Sequence, residues 1–285
     1  MSDRNFSRSA RTVFFLVLPL IGACSFASRM AKDSVEGVTS NYSSDHFTLA
    51  ATVPANFGFT SKAKYSPKKG EKCEVYSPGL GGNVIRQQQK SNTTDAKNVE
   101  QTVSTNIPLE FNIADCSMEL TRVSYEVSAS YGAGARDRDL ELAGGLTVTD
   151  TRGAQDQVPE NIIEQRGICS WLFQISTAKA KKDNIEKILS CSAADQKWNA
   201  PDDYSKRKKP GGAIARDTLN KKIVNVVFRF SELEEPSKEN RWIKTNLGWK
   251  PCQETAESVR CGAPPIFRSF KINGRECSIY PTCSE

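Results

Sequence analysis

The chain offers few side chains suited to covalent catalysis. His46 is the only histidine among 285 residues, whereas a Ser-His-Asp or Cys-His arrangement needs an imidazole held within hydrogen-bond reach of its nucleophile. His46 falls in a polar N-terminal stretch that is typical of a tether, and no G-x-S-x-G sequence occurs. We therefore predict a protein that is not an enzyme and that needs no cofactor.

The N-terminus has the organisation of an export signal. Three arginines precede an apolar run over residues 13–23, which is shorter than the roughly 20 residues of a membrane-spanning helix and typical of a secretory signal. The run ends in IGAC at residues 21–24, which resembles a bacterial lipobox. That resemblance implies acylation of Cys24 and hence a stable membrane anchor, on the outer membrane because Ser25 rather than aspartate follows. The alternative is an ordinary cleaved signal with an incidental cysteine.

Eight cysteines remain if Cys24 is acylated. An even number of thiols in an exported chain predicts four disulfide bonds. A metal site is disfavoured, because there is no C-x-x-C pair and a single histidine cannot complete the usual zinc ligand sets. The sequence does not choose among the possible pairings, and our working prediction joins neighbours in order: Cys73 with Cys116, Cys169 with Cys191, Cys252 with Cys261, and Cys277 with Cys283.

Two polar segments carry residue types that suit protein interfaces. Residues 132–141 mix arginines with alternating carboxylates, and residues 198–212 combine a tryptophan with a run of four basic side chains. An alternative role for the carboxylates is calcium binding or general acid–base catalysis, but the interleaved arginines favour a solvated loop. If the protein binds a partner, we expect the contacts at Arg136, Asp137, Arg138, Asp139 and Trp198.

The length and the net charge limit the number of domains and the kind of partner. The length allows one large domain or two ordinary ones. Removing residues 1–23 takes three of the 39 basic and one of the 33 acidic side chains, which leaves a mild positive charge of 36 against 32. That balance does not predict binding to nucleic acid, and we expect none.

The apolar pattern predicts a mainly β protein. Apolar side chains alternate with polar ones, as in half-buried strands, over residues 109–113, 123–131, 169–175 and 224–230. Met118 and Leu120 have the opposite parity to Val123, which predicts a bulge near Thr121. Helical spacing of Ile185, Ile188 and Leu189 predicts a helix within residues 177–191. We expect a disulfide-rich, β-sandwich-like fold, or two packed β-rich halves, with one or two short helices.

These patterns suggest a division of the chain. Residues 1–23 form the signal peptide, and residues 24–56 hold the acylated cysteine and a flexible tether with a first strand near its end. The first β-rich half covers residues 57–150. The second covers residues 151–285 and includes the helix and a cysteine-rich tail.

Two blocks carry a family resemblance: CSMELTRVSYEVSASYGAGARDRDLELAGGLTVTD (residues 116–150) and CSWLFQISTAKAKKDNIEKILSCSAADQKW (residues 169–198). Together with the lipobox and the cysteine-rich tail, they resemble the periplasmic lipoprotein immunity proteins encoded beside type VI secretion effectors. The resemblance implies a protein without catalytic residues that is held at the membrane by acyl chains on the periplasmic side. It would bind a toxic effector, often a phospholipase, and block it.

Two other functions stay open. A structural or assembly lipoprotein of the envelope or secretion apparatus would have the same anchor and the same β-rich body. A carbohydrate or lipid binder would use Trp242, Trp249 and the basic run of residues 206–209.

Overall fold

The computed structural model describes residues 40–132, 134, 137–150, 162–254 and 258–283. The predicted signal peptide, Cys24 and Arg136 lie outside these residues. Strands dominate the described chain, which confirms the mainly β prediction. Its one α-helix, α1, is Arg216–Leu219, and 3-10 turns cover Lys179–Lys181, Tyr204–Lys206 and Glu239–Arg241. No helix in this part of the chain has the length and apolar character needed to cross a membrane.

The first large sheet has seven strands, numbered here in chain order. The strands are β1 (Asn41–Tyr42), β3 (Phe57–Pro67), β6 (Gln88–Thr94), β8 (Glu110–Ile113), β9 (Cys116–Ser130), β10 (Arg138–Thr149) and β13 (Gly211–Ala215). The longest strand, β9, pairs along one side with β3 and along the other with β8 and β10, while β6, β1 and β13 extend the sheet beyond them.

The second large sheet has six strands and is mixed. The strands are β2 (His46–Val53), β7 (Gln101–Pro108), β11 (Ile162–Ile175), β12 (Ile185–Ala193), β14 (Ile223–Phe230) and β15 (Glu235–Pro236). Their order in the sheet is β12-β11-β14-β2-β7, with β15 parallel to the end of β11.

The main core is formed by the inward faces of the two sheets. Alternate residues of β2, from Phe47 to Val53, are buried, and so are alternate residues of β9. The bulge predicted near Thr121 is confirmed, because Lys64 pairs with Arg122 while Tyr65 pairs with Leu120. The extra residue keeps the apolar side chains on both sides of it turned inward.

Three small hairpins lie outside the large sheets: β4 (Glu74–Ser77) with β5 (Gly82–Ile85), β16 (Trp242–Thr245) with β17 (Gly248–Pro251), and β18 (Phe270–Ile272) with β19 (Arg275–Cys277). The last two belong to a C-terminal module with its own aromatic core. Trp242, Phe270 and Tyr280 pack there around Phe173 at the end of β11.

Four disulfide bonds join neighbouring cysteines in sequence order, as predicted: Cys73–Cys116, Cys169–Cys191, Cys252–Cys261 and Cys277–Cys283. Cys169 and Cys191 face each other across β11 and β12 and are buried in the main core. The two C-terminal bonds lie in the small module. The short hairpins of this tail therefore have covalent links where their own apolar area is limited.

The helix predicted within residues 177–191 is wrong. After the 3-10 turn, residues 185–193 form β12, in which Leu189 and Cys191 point into the core at two-residue spacing. Pairing with β11 along nine residues and the disulfide to Cys169 stabilise this strand. Tertiary pairing thus overrides a weak local preference for helix.

The predicted tether and halves also need correction. The predicted tether over residues 24–56 is wrong from residue 41 onward, because β1 and β2 are strands of the two sheets and His46 begins β2. Strands from one predicted half pair with strands from the other. β13, from the second half, pairs with β10. β2 and β7, from the N-terminal part, continue the sheet of β11 and β14. The boundary at residue 150 therefore does not separate the two sheets.

Candidate functional site

Trp198 lies in a tight turn that follows β12. One carboxylate oxygen of Asp195 accepts hydrogen bonds from the backbone N–H groups of Lys197, at 2.8 Å, and Asn199, at 2.9 Å. The Trp198 N–H donates to the Asp195 carbonyl oxygen at 3.1 Å. These bonds hold Trp198 at a φ of 65°, which is rare for a bulky side chain. The Asn199 N–H bond is the main cause of the lowered pKa of Asp195, so the carboxylate stays ionised.

The turn forms one wall of a groove of about 510 Å³ on the outer face of the second sheet. The alternation that points Cys169, Trp171, Leu189 and Cys191 inward points three serines outward to form its floor. These are Ser170 on β11 and Ser190 and Ser192 on β12.

The opposite wall of the groove is the segment between β14 and β15. It contributes Ser231 and the exposed side chain of Leu233, and Glu235, the first residue of β15, continues this wall. Arg207 crosses from the first wall and pairs with Glu235 at 2.7 Å, and it also donates to the Pro201 carbonyl oxygen at 2.8 Å. The two walls are therefore joined by an ion pair.

Basic side chains surround the indole of Trp198. The Arg229 guanidinium lies 3.9 Å from the ring centroid, close enough for a cation–π interaction. Arg166 is farther from the ring, at 5.8 Å, and its charge is paired with Glu164 at 2.5 Å. Arg166 and Arg207 thus have carboxylate partners, whereas Arg229 forms no ion pair with the described residues and contacts the indole instead.

The charged segment predicted as a contact surface makes several hydrogen bonds within the protein. Asp139 accepts a hydrogen bond from the Leu189 N–H at 2.7 Å, on the side of β12 that β11 does not cover. Asp137 accepts from the Gly134 N–H at 3.0 Å, and Arg138 is exposed and donates to the Ser128 hydroxyl at 3.3 Å. Asp139 thus covers the edge of a sheet. It does not share a cavity with Trp198.

The basic run at residues 206–209 is also engaged with the rest of the protein. Lys209 pairs with Glu141 and donates to the Cys191 carbonyl oxygen at 2.9 Å. The Lys208 carbonyl oxygen accepts a hydrogen bond from the Ala193 N–H at 2.6 Å. Residues 208–209 therefore cover part of the β12 edge, as Asp139 does.

Asp137 lines a second cleft, of about 630 Å³, where the sandwich meets the C-terminal module. Near it, Glu234 pairs with Lys187 at 2.5 Å and accepts a hydrogen bond from the Tyr280 hydroxyl. Burial, and secondly Glu234, raise the pKa of Tyr280, so its hydroxyl keeps its proton and remains a donor. This cluster ties the tail to the second sheet.

The β4–β5 hairpin, which we call the finger (residues 73–86), is a feature that sequence reasoning missed, since the Gly-rich and polar composition of residues 78–101 is typical of a long loop. The Cys73–Cys116 disulfide bond closes its base, where the Arg86 N–H also donates to the Cys73 carbonyl oxygen at 2.9 Å. Gly81 in the turn has a φ of 64°. The available signal was the Pro-Gly-Leu-Gly-Gly turn between Tyr76 and Val84.

The finger carries exposed apolar side chains beyond the large sheets. Leu80 at its tip is 77% exposed, and Ile85 is 66% exposed. Isolated exposed leucines are common on protein surfaces, but here the side chain stands on a turn whose hairpin is covalently fixed.

Comparisons complete the description of these sites. Among the described residues, no group of three or more His, Cys, Asp or Glu side chains is arranged to hold a metal ion. This chain matches no protein-family model, no curated protein and no solved structure. The functional interpretation therefore rests on the residues and surfaces described above.

Proposed function

We propose that this chain is a membrane-anchored immunity protein on the periplasmic side of the cell envelope, where it binds and neutralises a type VI secretion phospholipase. The observation that carries the proposal is the finger: an apolar tip presented on a covalently fixed hairpin. The lipobox-like segment and the family resemblance of residues 116–150 and 169–198 support the same function.

The finger suits a lipid-cleaving enzyme as its partner. A phospholipase must hold acyl chains in an apolar cleft. An exposed leucine on a narrow hairpin is apolar like an acyl chain and would bind in the same cleft. Burying a leucine side chain contributes about 1.5–3 kcal/mol. Because the disulfide bond already restricts the hairpin, little conformational entropy is lost when it binds.

The anchor supports the same proposal. Acylation of Cys24 would concentrate the protein at the membrane that the enzyme attacks, and tethering raises the effective concentration of a binder without adding contacts. We expect cells fed labelled palmitate to label the wild-type chain but not a Cys24→Ser variant. A wild-type chain that stays unlabelled and leaves the membrane fraction would refute the anchor.

The inhibitory function is tested with the effector encoded beside the gene. Cells that export this effector should grow when they produce the wild-type protein, and the two purified proteins should form a complex. Leu80→Asp should weaken the complex by at least about tenfold, because the cleft would have to bury a charge. Leu247→Asp is the matched control, since Leu247 is 62% exposed in the β16–β17 turn.

The outcomes separate the function from the role of the finger. If the wild-type protein neither binds the effector nor restores growth, the immunity function is wrong. If it does both and Leu80→Asp acts as well as Leu247→Asp, the finger is not the inhibitory element. An envelope or secretion defect in a deletion strain without the effector would instead support the structural or assembly lipoprotein.

A further inference from the structure

The floor of the groove beside Trp198 carries hydroxyls that make no hydrogen bond to the described residues. Ser192 is only 8% exposed, and its hydroxyl lines the groove without a hydrogen bond to any described residue. The hydroxyls of Ser170 and Ser190 lie beside it on the same floor and are likewise unpaired within the described chain. Because these hydroxyls face the open groove, they can donate hydrogen bonds to, and accept them from, water or a bound ligand.

The charges of the groove favour a neutral ligand. Arg207 is paired with Glu235 across the walls, and Arg166 is paired with Glu164. Arg229 stacks on the Trp198 indole. A cation would meet Arg207 in the wall and Arg229 beside the Trp198 ring, whereas an anion would meet the carboxylates of Asp202 and Glu235.

The hydrogen-bonding groups of the groove suit a ligand that carries many hydroxyls. Serine hydroxyls both donate and accept hydrogen bonds, as does the amide of Asn199 in the wall. Apolar surface from Trp198, Ile168 and Leu233 lies beside these groups. A sugar ring combines the same two properties, because its C–H faces are apolar and its rim carries hydroxyls.

The position of Trp198 is itself maintained by the protein. Asp195 holds the turn so that an aromatic residue adopts a positive φ, and Arg229 covers part of the indole. Backbone strain of this kind persists where the surrounding structure enforces it, and it is frequent at binding sites.

We propose that this groove is a binding site for a neutral saccharide, with the three serines and Asn199 bonding its hydroxyls and Trp198 contacting its apolar face. The groove volume is that of a small-molecule site. The site is separate from the finger, so it does not depend on effector binding.

The test uses the full chain purified as cells produce it, in a detergent without a sugar headgroup. Chitotetraose, cellotetraose and maltotetraose are titrated by calorimetry, with inorganic phosphate as an anionic probe. The indole N–H signal of Trp198, assigned with Trp198→Phe, is followed by NMR. We expect at least one tetrasaccharide to bind at millimolar concentration or below and to shift this signal.

Variants locate the binding. Ser192→Ala and Ser190→Ala each remove a floor hydroxyl without adding bulk, and either should weaken binding by about threefold to tenfold. Ser104→Ala on β7 of the same sheet is the control and should bind as the wild type does. The proposal is overturned if no tetrasaccharide binds, if phosphate alone shifts the Trp198 signal, or if both floor variants, with unchanged unfolding midpoints, bind with wild-type affinity.

Discussion

At the scale of single residues, the close approach of β10 and β13 depends on glycine. Gly211 has a φ of 137° and pairs with Gly145, and a Cβ at position 211 would collide with the Gly145 carbonyl oxygen. Backbone strain alone costs about 1–3 kcal/mol. We therefore expect Gly211→Ala to lower the free energy of unfolding, measured with urea, by at least this amount.

The neighbouring glycine provides the control. A Cβ at Gly212 meets no atom within 4 Å, so Gly212→Ala should change the free energy of unfolding by less than about 0.5 kcal/mol. Equal effects of the two substitutions would show that the approach of the strands does not require glycine at position 211.

A second residue-scale prediction concerns the pH dependence of the Trp198 turn. Hydrogen bonds, chiefly from the Asn199 N–H, depress the pKa of Asp195 in the folded protein. A depressed carboxylate pKa contributes stability above the unfolded-state pKa and loses it as the pH falls through the folded-state value. The turn should therefore be ordered at neutral pH and should loosen in acid, below the ordinary aspartate range.

The measurement is hydrogen exchange of residues 195–199 as the pH is lowered, corrected for the intrinsic exchange rate. Asp195→Ala should be loosened throughout the range. Asp195→Asn keeps an acceptor oxygen but does not titrate, so its turn should show no acid transition. An acid transition that is unchanged in Asp195→Asn would assign the effect to another group.

At the scale of secondary-structure elements, the finger depends on its disulfide bond. Cys73 and Cys116 are 43 residues apart, and closing a loop of that length contributes about 4 kcal/mol in the chain-entropy model. We expect the double Cys→Ser variant to lose about 2–4 kcal/mol of unfolding free energy and to exchange amide protons faster in residues 74–85.

The bond between Cys277 and Cys283 is the comparison for this prediction. It closes only six residues, for which the same model gives about 2 kcal/mol. Its removal should destabilise the protein less and should leave the exchange of the finger unchanged. Fast finger exchange in both variants would show that the hairpin is not held by its own disulfide bond.

At the scale of the whole molecule, aromatic packing attaches the C-terminal module to the sandwich. The Trp242 ring is buried, and its centroid lies 4.9 Å from that of Phe173 in an edge-to-face arrangement. Replacing a buried tryptophan by alanine costs about 3–5 kcal/mol. We expect Trp242→Ala to make residues 237–283 sensitive to protease while β2, β11 and β14 keep slow amide exchange.

A control for this prediction is Trp249→Ala, since Trp249 is only partly buried and its ring lies 6.3 Å from that of Phe173. Its effect on protease sensitivity should be smaller. Loss of slow exchange throughout the sandwich in Trp242→Ala would show that the module and the sandwich unfold as one unit.

The candidate sites could be predicted from the sequence only in part. The residue types predict partner contacts at both Trp198 and Asp139; in the structure Trp198 lines a groove, whereas Asp139 covers a strand edge. The charge pattern of residues 132–141 does not reveal the role of Asp139, because a solvated carboxylate and one that covers a strand edge have the same local sequence. The sequence does not single out Ser192, since its place on the groove floor depends on the pairing of β12 with β11.

The sequence by itself determined those features that depend on local geometry. Side chains alternate across a strand with a period of two, so the strands and the bulge at Thr121 were visible in the apolar pattern. The pairing of neighbouring cysteines was also correctly predicted.

Tertiary structure alone decided which distant segments meet. The parallel pairing of β2 with β14 joins residues more than 170 positions apart, and no local pattern encodes it. Residues 185–193 became a strand because β11 and Cys169 offer backbone and covalent partners that a helix could not use. The groove exists only through such long-range contacts, and the finger, although a local hairpin, is fixed by a disulfide bond to the distant Cys116, which is why the sites were less predictable than the fold class.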